Sequence, residues 1–191
     1  MGNLALPSKQ VWKIDPAIDV DRVSLEDVKL IFSQAEKVLD DTVKTGESIA
    51  SKTMSVITLM AGVFIALSGF MIANWGSSTP ATKKDYLAIF GCCYLLAMFV
   101  YTIRNVLPDK YLVPGSEPEQ LMVPSFFAAT VPKEKITLFI YISEIENYNL
   151  RIEKNLEMND RRWKRYRRSV ILFLIFPILL GALYCLLEWL G

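Results

Sequence analysis

The side chains that most often do chemistry are scarce in this chain. It contains no histidine, which removes Ser-His-Asp and Cys-His nucleophiles, imidazole bases and histidine-ligated zinc. The three thiols, Cys92, Cys93 and Cys185, all lie in apolar stretches. Adjacent residues of a helix point to different faces, so Cys92 and Cys93 cannot readily bridge; they read as small packing residues, with metal ligation the weaker alternative. No phosphate-binding glycine loop, Cys-x-x-Cys motif, nucleophile elbow or carboxylate pair at a catalytic spacing is present. The expectation is a protein that is not an enzyme, with no cofactor and no metal.

What remains is recognition chemistry. Ser55, Gly62, Ala66, Gly69 and Ala73 fall at steps of seven, four, three and four, on one helix face. In lipid such a face lets backbones approach closely. It reads either as packing against another span of the same chain or as self-association, with Ser55, Thr58 and Ser68 facing a lumen in the second case. The turn Pro114–Pro118, with Gly115, Ser116 and Glu117 at its centre, reads as a structural turn or as a site for a ligand or partner.

A basic block, RRWKRYRR, covers Arg161, Arg162, Trp163, Lys164, Arg165, Tyr166, Arg167 and Arg168. It reads as a stop at the anionic lipid interface rather than a nucleic-acid patch, because the stretch upstream carries Glu144, Glu146, Glu153, Glu157 and Asp160. With 21 Lys+Arg against 20 Asp+Glu there is no global charge to attract nucleic acid either. Membrane lipid is the expected partner.

The elements that carry these residues are legible from charge-free runs. The chain has 191 residues, 52% of them hydrophobic, and a mean hydropathy of +0.31, high for a soluble domain. Thr53 to Trp75 is an apolar run without charge, roughly 34 Å long as a helix, enough for a hydrocarbon core of about 30 Å. Tyr86 to Ile103 and Ser169 to Leu187 are two further runs, the last interrupted by Pro177, which is expected to kink or loosen its helix. The expected fold is an all-α membrane protein of three transmembrane helices with two long cytoplasmic helical extensions forming a stalk or bundle. The order is an N-terminal arm over 1–23, an amphipathic helix over 24–52, spans over 53–75, 86–103 and 169–190, an external turn over 76–85, a proline-rich cytoplasmic loop over 104–132 and a heptad helix over 133–168.

Ser24 and Asp27 form a capping-box pattern that opens the first helix, whose apolar line is Leu25, Val28, Phe32, Ala35, Leu39 and Val43 before it weakens into small polar residues. In the heptad helix, Leu138, Ile142, Ile145, Asn149, Ile152, Leu156, Asn159, Trp163 and Tyr166 alternate steps of four and three. Asn149 and Asn159 interrupt this seam, and buried asparagines fix register. The seam packs either on the first helix of the same chain or between chains. Residues 1–52 and 104–168 carry nineteen of the 21 basic residues and the turn carries two, which predicts an inner-membrane protein with a cytoplasmic N-terminus and an external C-terminus.

The long helix entering a two-span hairpin (AEKVLDDTVKTGESIASKTMSVITLMAGVF, then DYLAIFGCCYLLAMFV), followed by a returning helix (EIENYNLRIEKNLEMNDRRWKRYRRSVI), resembles the small bacterial multi-span membrane effectors of SLATT type and related nucleotide-signalling anti-phage systems, over about residues 25 to 185. The third span departs from a plain two-span hairpin. The resemblance implies a homo-oligomer that disrupts membrane integrity when it senses a small signalling ligand or a soluble cytoplasmic partner protein. The rival reading is a membrane anchor or assembly subunit that recruits a soluble partner through its stalk.

Overall fold

A computed structural model describes residues 22–74, 82–107, 111–115, 127 and 132–190. Three long helices account for nearly all of them: α1, Leu25–Asn74; α2, Lys83–Ile103; and α3, Lys133–Leu190. Each is long and apolar enough to cross a membrane, so the chain is a multi-pass membrane protein. The arm up to residue 21, most of the external turn and most of the proline-rich loop lie outside the described residues.

The start of α1 is set by two short side chains. The backbone N–H of Ser24 donates to Asp27 Oδ2 at 3.2 Å and that of Asp27 donates to Ser24 Oγ at 3.1 Å. These reciprocal bonds satisfy two donors that the first helical turn leaves over. Thr82 and Asp85 repeat the device at the start of α2, where the Thr82 N–H donates to Asp85 Oδ2 at 2.7 Å. Helix α3 continues through Pro177.

The contacts group the chain into two units: unit A, the described parts of Met1–Thr45 and Lys110–Met158, and unit B, those of Gly46–Asp109 and Asn159–Gly191. In unit A, α1 packs against α3 of the same chain. Phe32 stacks on Tyr148 with ring centroids 5.1 Å apart and meets the edge of Tyr141 at the same distance. Val28, Leu39 and Leu138 are buried beside them. In unit B, Val56 and Met60 of α1, Leu95 and Met98 of α2 and Phe176 of α3 form an apolar core. Tyr94 stacks on Phe176 at 5.3 Å and donates to the Leu172 carbonyl at 3.0 Å. Lys83 lies 3.5 Å from Glu188 at one end, and Thr102 donates to Ser169 at 3.0 Å at the other, so α2 and α3 run antiparallel there.

The line that α1 buries is Val28, Phe32, Ala35, Leu39, Thr42, then Gly46, Ile49, Thr53, Val56 and Met60, with steps of four and three throughout. The expected apolar line includes Val43 and fades after it; the actual one turns to Thr42, Gly46 and Thr53 where it is small rather than apolar. Helix α3 differs from expectation in phase. Its buried positions include Leu138, Tyr148, Asn155, Asn159, Arg162, Ser169 and Phe176, whereas Leu156 and Trp163, placed in the seam from sequence, are 39% and 45% exposed. The seven-residue positions Leu138, Ile145, Ile152, Asn159 and Tyr166 are common to both lines. The alternate positions shift back by one, from Ile142, Asn149, Leu156 and Trp163 to Tyr141, Tyr148, Asn155 and Arg162.

Candidate functional site

The small-residue face of α1 is not covered by the described helices of the chain. Ser55, Gly62, Ala66, Gly69 and Ala73 are all exposed, and a Cβ built on Gly62 or Gly69 meets nothing within 4 Å. The intrachain close approach is made instead by Gly91 of α2, a residue that sequence periodicity did not single out. A Cβ there would stand 2.8 Å from Leu67 Cδ1 and 3.5 Å from Phe176 Cζ. The hydroxyls expected to share a lumen with that face do not form one line. Ser55 and Thr58 donate to the carbonyls of Ser51 and Met54 on their own helix, while Ser68 is half-buried, 3.7 Å from Cys92 Sγ on α2.

The asparagine that fixes register in unit A is Asn155, missed from sequence. It is fully buried, and its carboxamide uses both N–H groups and its oxygen: Nδ2 donates to Thr42 Oγ1 at 3.1 Å and to the Leu112 carbonyl at 2.9 Å, and Oδ1 accepts from the Leu112 N–H at 3.2 Å. Thr42 passes the chain on by donating to the Leu39 carbonyl at 2.6 Å. Asn149 is half-buried and Asn159 is buried. No local pattern marks Asn155, because its partners lie 43 and 113 residues away.

The turn around Gly115 is also committed internally. Gly115 adopts φ 94°; its N–H donates to the Tyr148 hydroxyl at 3.0 Å, and its carbonyl accepts from Arg151 Nη1. Of the two readings of this turn, the contacts at Gly115 fit the structural one. Ser116 and Glu117 lie outside the described residues.

The basic block splits. Arg162 is 4% exposed and donates to the Leu107 carbonyl at 3.0 Å, while its own carbonyl accepts from Asn105 Nδ2 at 3.2 Å. It belongs to the interior of unit B and not to a lipid interface, a second correction to the expected set. Asn105 Oδ1 is buried without a donor among the described residues. Trp163 is half-exposed, with Lys52 Nζ 5.6 Å from its ring centroid and Tyr166 5.4 Å away. Lys164 pairs with Asp160 at 2.7 Å, Arg161, Arg167 and Arg168 are exposed, and Arg165 is half-exposed. These side chains set two aromatic rings beside exposed cations.

Nothing in the described residues assembles a reaction centre. Cys92 is half-buried, Cys93 and Cys185 are exposed, and all three are free thiols; the packing role read for the last two is not one within this chain. No group of three metal-ligating side chains occurs among the described residues. Between α1 and α2 lies a cavity of about 200 Å³ lined by apolar residues including Met60, Phe64, Ile65, Leu95 and Phe99. Comparison of the chain with protein-family models, with curated proteins and with solved structures finds no match.

Proposed function

We propose that the chain is a non-enzymatic effector of the bacterial inner membrane. It self-associates through the small-residue face of α1 and permeabilises the bilayer when unit A senses a cytoplasmic ligand or partner, in the manner of anti-phage effectors. The observation that carries this reading is the face itself. Five small residues lie on one side of a membrane-length helix, exposed within the chain, with open space where Gly62 and Gly69 would carry side chains. Small side chains on a lipid-exposed face give up contact with lipid tails and gain it back when a second helix approaches closely. The basic residues support the orientation, N-terminus cytoplasmic and C-terminus outside, by nineteen to two. Conversion from mostly closed to mostly open takes about 5.5 kcal/mol of differential binding, within reach of one ligand.

The test is dye release from vesicles holding the full chain, triggered by cytoplasmic extract as the source of the signal, with and without the double substitution Gly62→Leu and Gly69→Leu. Neither leucine meets a neighbour within the chain at its Cβ, and an unchanged melting temperature checks that the monomer folds. Release is expected to fall at least tenfold, together with loss of the larger detergent-solubilised particle. Unchanged release from the double variant excludes this face as the route. The anchor reading draws on a different observation, the exposed Leu30, Ile31 and Val38 on the part of α1 in unit A. It predicts no release from the parent protein and undiminished co-purification of a soluble partner with the double variant.

A further inference from the structure

Residues 112–115 have no secondary structure of their own, yet their main chain is read by three side chains of one helix. Tyr148, Arg151 and Asn155 sit at steps of three and four on α3. Asn155 accepts from the N–H and donates to the carbonyl of the same residue, Leu112. A carboxamide presents the same donor and acceptor edge as a peptide unit, so this pair reproduces one rung of a β-ladder. Arg151 donates to the carbonyls of Val113, at 3.1 Å, and Gly115, and Tyr148 accepts from the Gly115 N–H. Arg151 also lies over the Tyr148 ring at 5.6 Å, which holds the two readers against each other.

The bonds from α3 go to the main chain of the segment, while the Val113 side chain is 57% exposed. Recognition of that kind discriminates little at position 113, while the half-buried Leu112 and Pro114 add side-chain contact and Gly115 is selected by its φ of 94°, which strains any other L-residue. The site is nevertheless built rather than incidental: Asn155 and Tyr148 are among the largest fully buried side chains, and Asn155 is tied to α1 through Thr42.

We propose that Tyr148, Arg151 and Asn155 form a main-chain-reading peptide site, that residues 112–115 occupy it in cis, and that its competing ligand is a peptide segment of a partner protein with glycine three positions after the residue held by Asn155. The tether gives the resident segment an effective concentration on the order of millimolar, which excludes a weak peptide until the segment is loosened. The inference does not depend on membrane permeation.

The experiment uses the full chain in detergent and a fluorescent pentapeptide with the sequence of Tyr111–Gly115, capped at both ends. Gly115→Val strains the resident turn, so hydrogen exchange at the Leu112 amide is expected to rise at least tenfold, and the peptide to bind this variant at least tenfold more tightly than the parent. Adding Asn155→Leu removes the reading edge, and binding falls back by tenfold or more. A pentapeptide ending in valine binds Gly115→Val at least tenfold more weakly than the glycine form. The proposal is overturned if Gly115→Val exchanges fast at Leu112 but binds no more peptide than the parent, if the two peptides bind alike, or if the Leu112 amide stays protected. Should the Asn155 variant fail to fold, Tyr148→Phe deletes a single acceptor. The Gly115 amide must then exchange at least tenfold faster at unchanged melting temperature, and unchanged exchange overturns the proposal.

Discussion

Units A and B both hold stacked rings and a buried carboxamide, but they differ in what surrounds them. In unit A the contact between α1 and α3 centres on stacked aromatic rings and a buried carboxamide, Phe32 on Tyr148 and Asn155 on Thr42. In unit B the contact among α1, α2 and α3 centres on Met60, Leu95, Met98 and Phe176, with a glycine, Gly91, whose missing Cβ would stand 2.8 Å from Leu67 Cδ1. We attribute the difference to the solvent proposed outside each, water around unit A and lipid around the membrane-length stretches of unit B. In water, burying a large side chain yields about 1.5–3 kcal/mol, enough to offset the desolvation of a satisfied polar group beside it. In lipid no such drive exists between helices, so shape and close contact decide, and a lone interhelical hydrogen bond such as Thr102 to Ser169 adds about 0.6 kcal/mol.

The largest expected effect breaks the aqueous side of this comparison. Tyr148→Ala removes a buried ring stacked on Phe32 together with the hydroxyl that accepts from Gly115, and costs about 3–5 kcal/mol. Leu95→Ala, equally buried in unit B, is expected to cost less than half of that, because in the separated helices the leucine already lies among apolar tails and only the lost packing counts. Denaturant titration in one detergent, following fluorescence of single tryptophans placed in each unit, measures both; equal losses would remove the solvent argument. Next comes Asn155→Ala, which strands the Leu112 N–H and carbonyl, at about 1–3 kcal/mol for the group that ends up buried without a partner, while Thr42 keeps its bond to the Leu39 carbonyl. Asn149→Ala, on the half-buried flank, is expected to shift stability by less than about 0.5 kcal/mol. The pair of melting curves separates the register asparagine from its neighbour.

That pair also marks where the sequence was readable. The three membrane-length helices follow from runs without charge, and the start of α1 follows from Ser24 and Asp27, because those signals are local. The phase of α3 was not readable, for a physical reason. A periodicity search favours the line with more apolar residues, which runs through Ile142, Leu156 and Trp163. The line actually buried runs through Tyr148, Asn155, Arg162 and Ser169, polar groups made tolerable by partners far along the chain: Gly115, Leu112, Leu107 and Thr102. The small-residue face was found by spacing, but spacing could not tell which glycines meet another helix of this chain. Only the packing distinguishes Gly91 from Gly62 and Gly69.

Gly91→Leu sharpens that distinction. Its side chain would drive into Leu67, Phe176 and Leu180, and overpacking of this kind costs about 1–3 kcal/mol. Gly91→Ala is milder, since the nearest atom is the end of a flexible leucine and alanine gains about 1 kcal/mol over glycine in a helix. Gly62→Leu is expected to leave the stability of the monomer within about 0.5 kcal/mol while lowering self-association. Thermal unfolding and particle mass, read on the same samples, should therefore move in opposite patterns for the two leucine variants.

The smallest effect concerns the ion pair at the far end of unit B. Lys83 and Glu188 are 3.5 Å apart with side chains 39% and 51% exposed, so water and salt screen them and Glu188→Gln is expected to change stability by less than about 0.5 kcal/mol. A larger, salt-independent loss would mean that this end of α2 and α3 is held by charge rather than by the packing around Tyr94 and Phe176. The contrast between the two units would then rest on the medium at each helix end, and not on the materials of their cores.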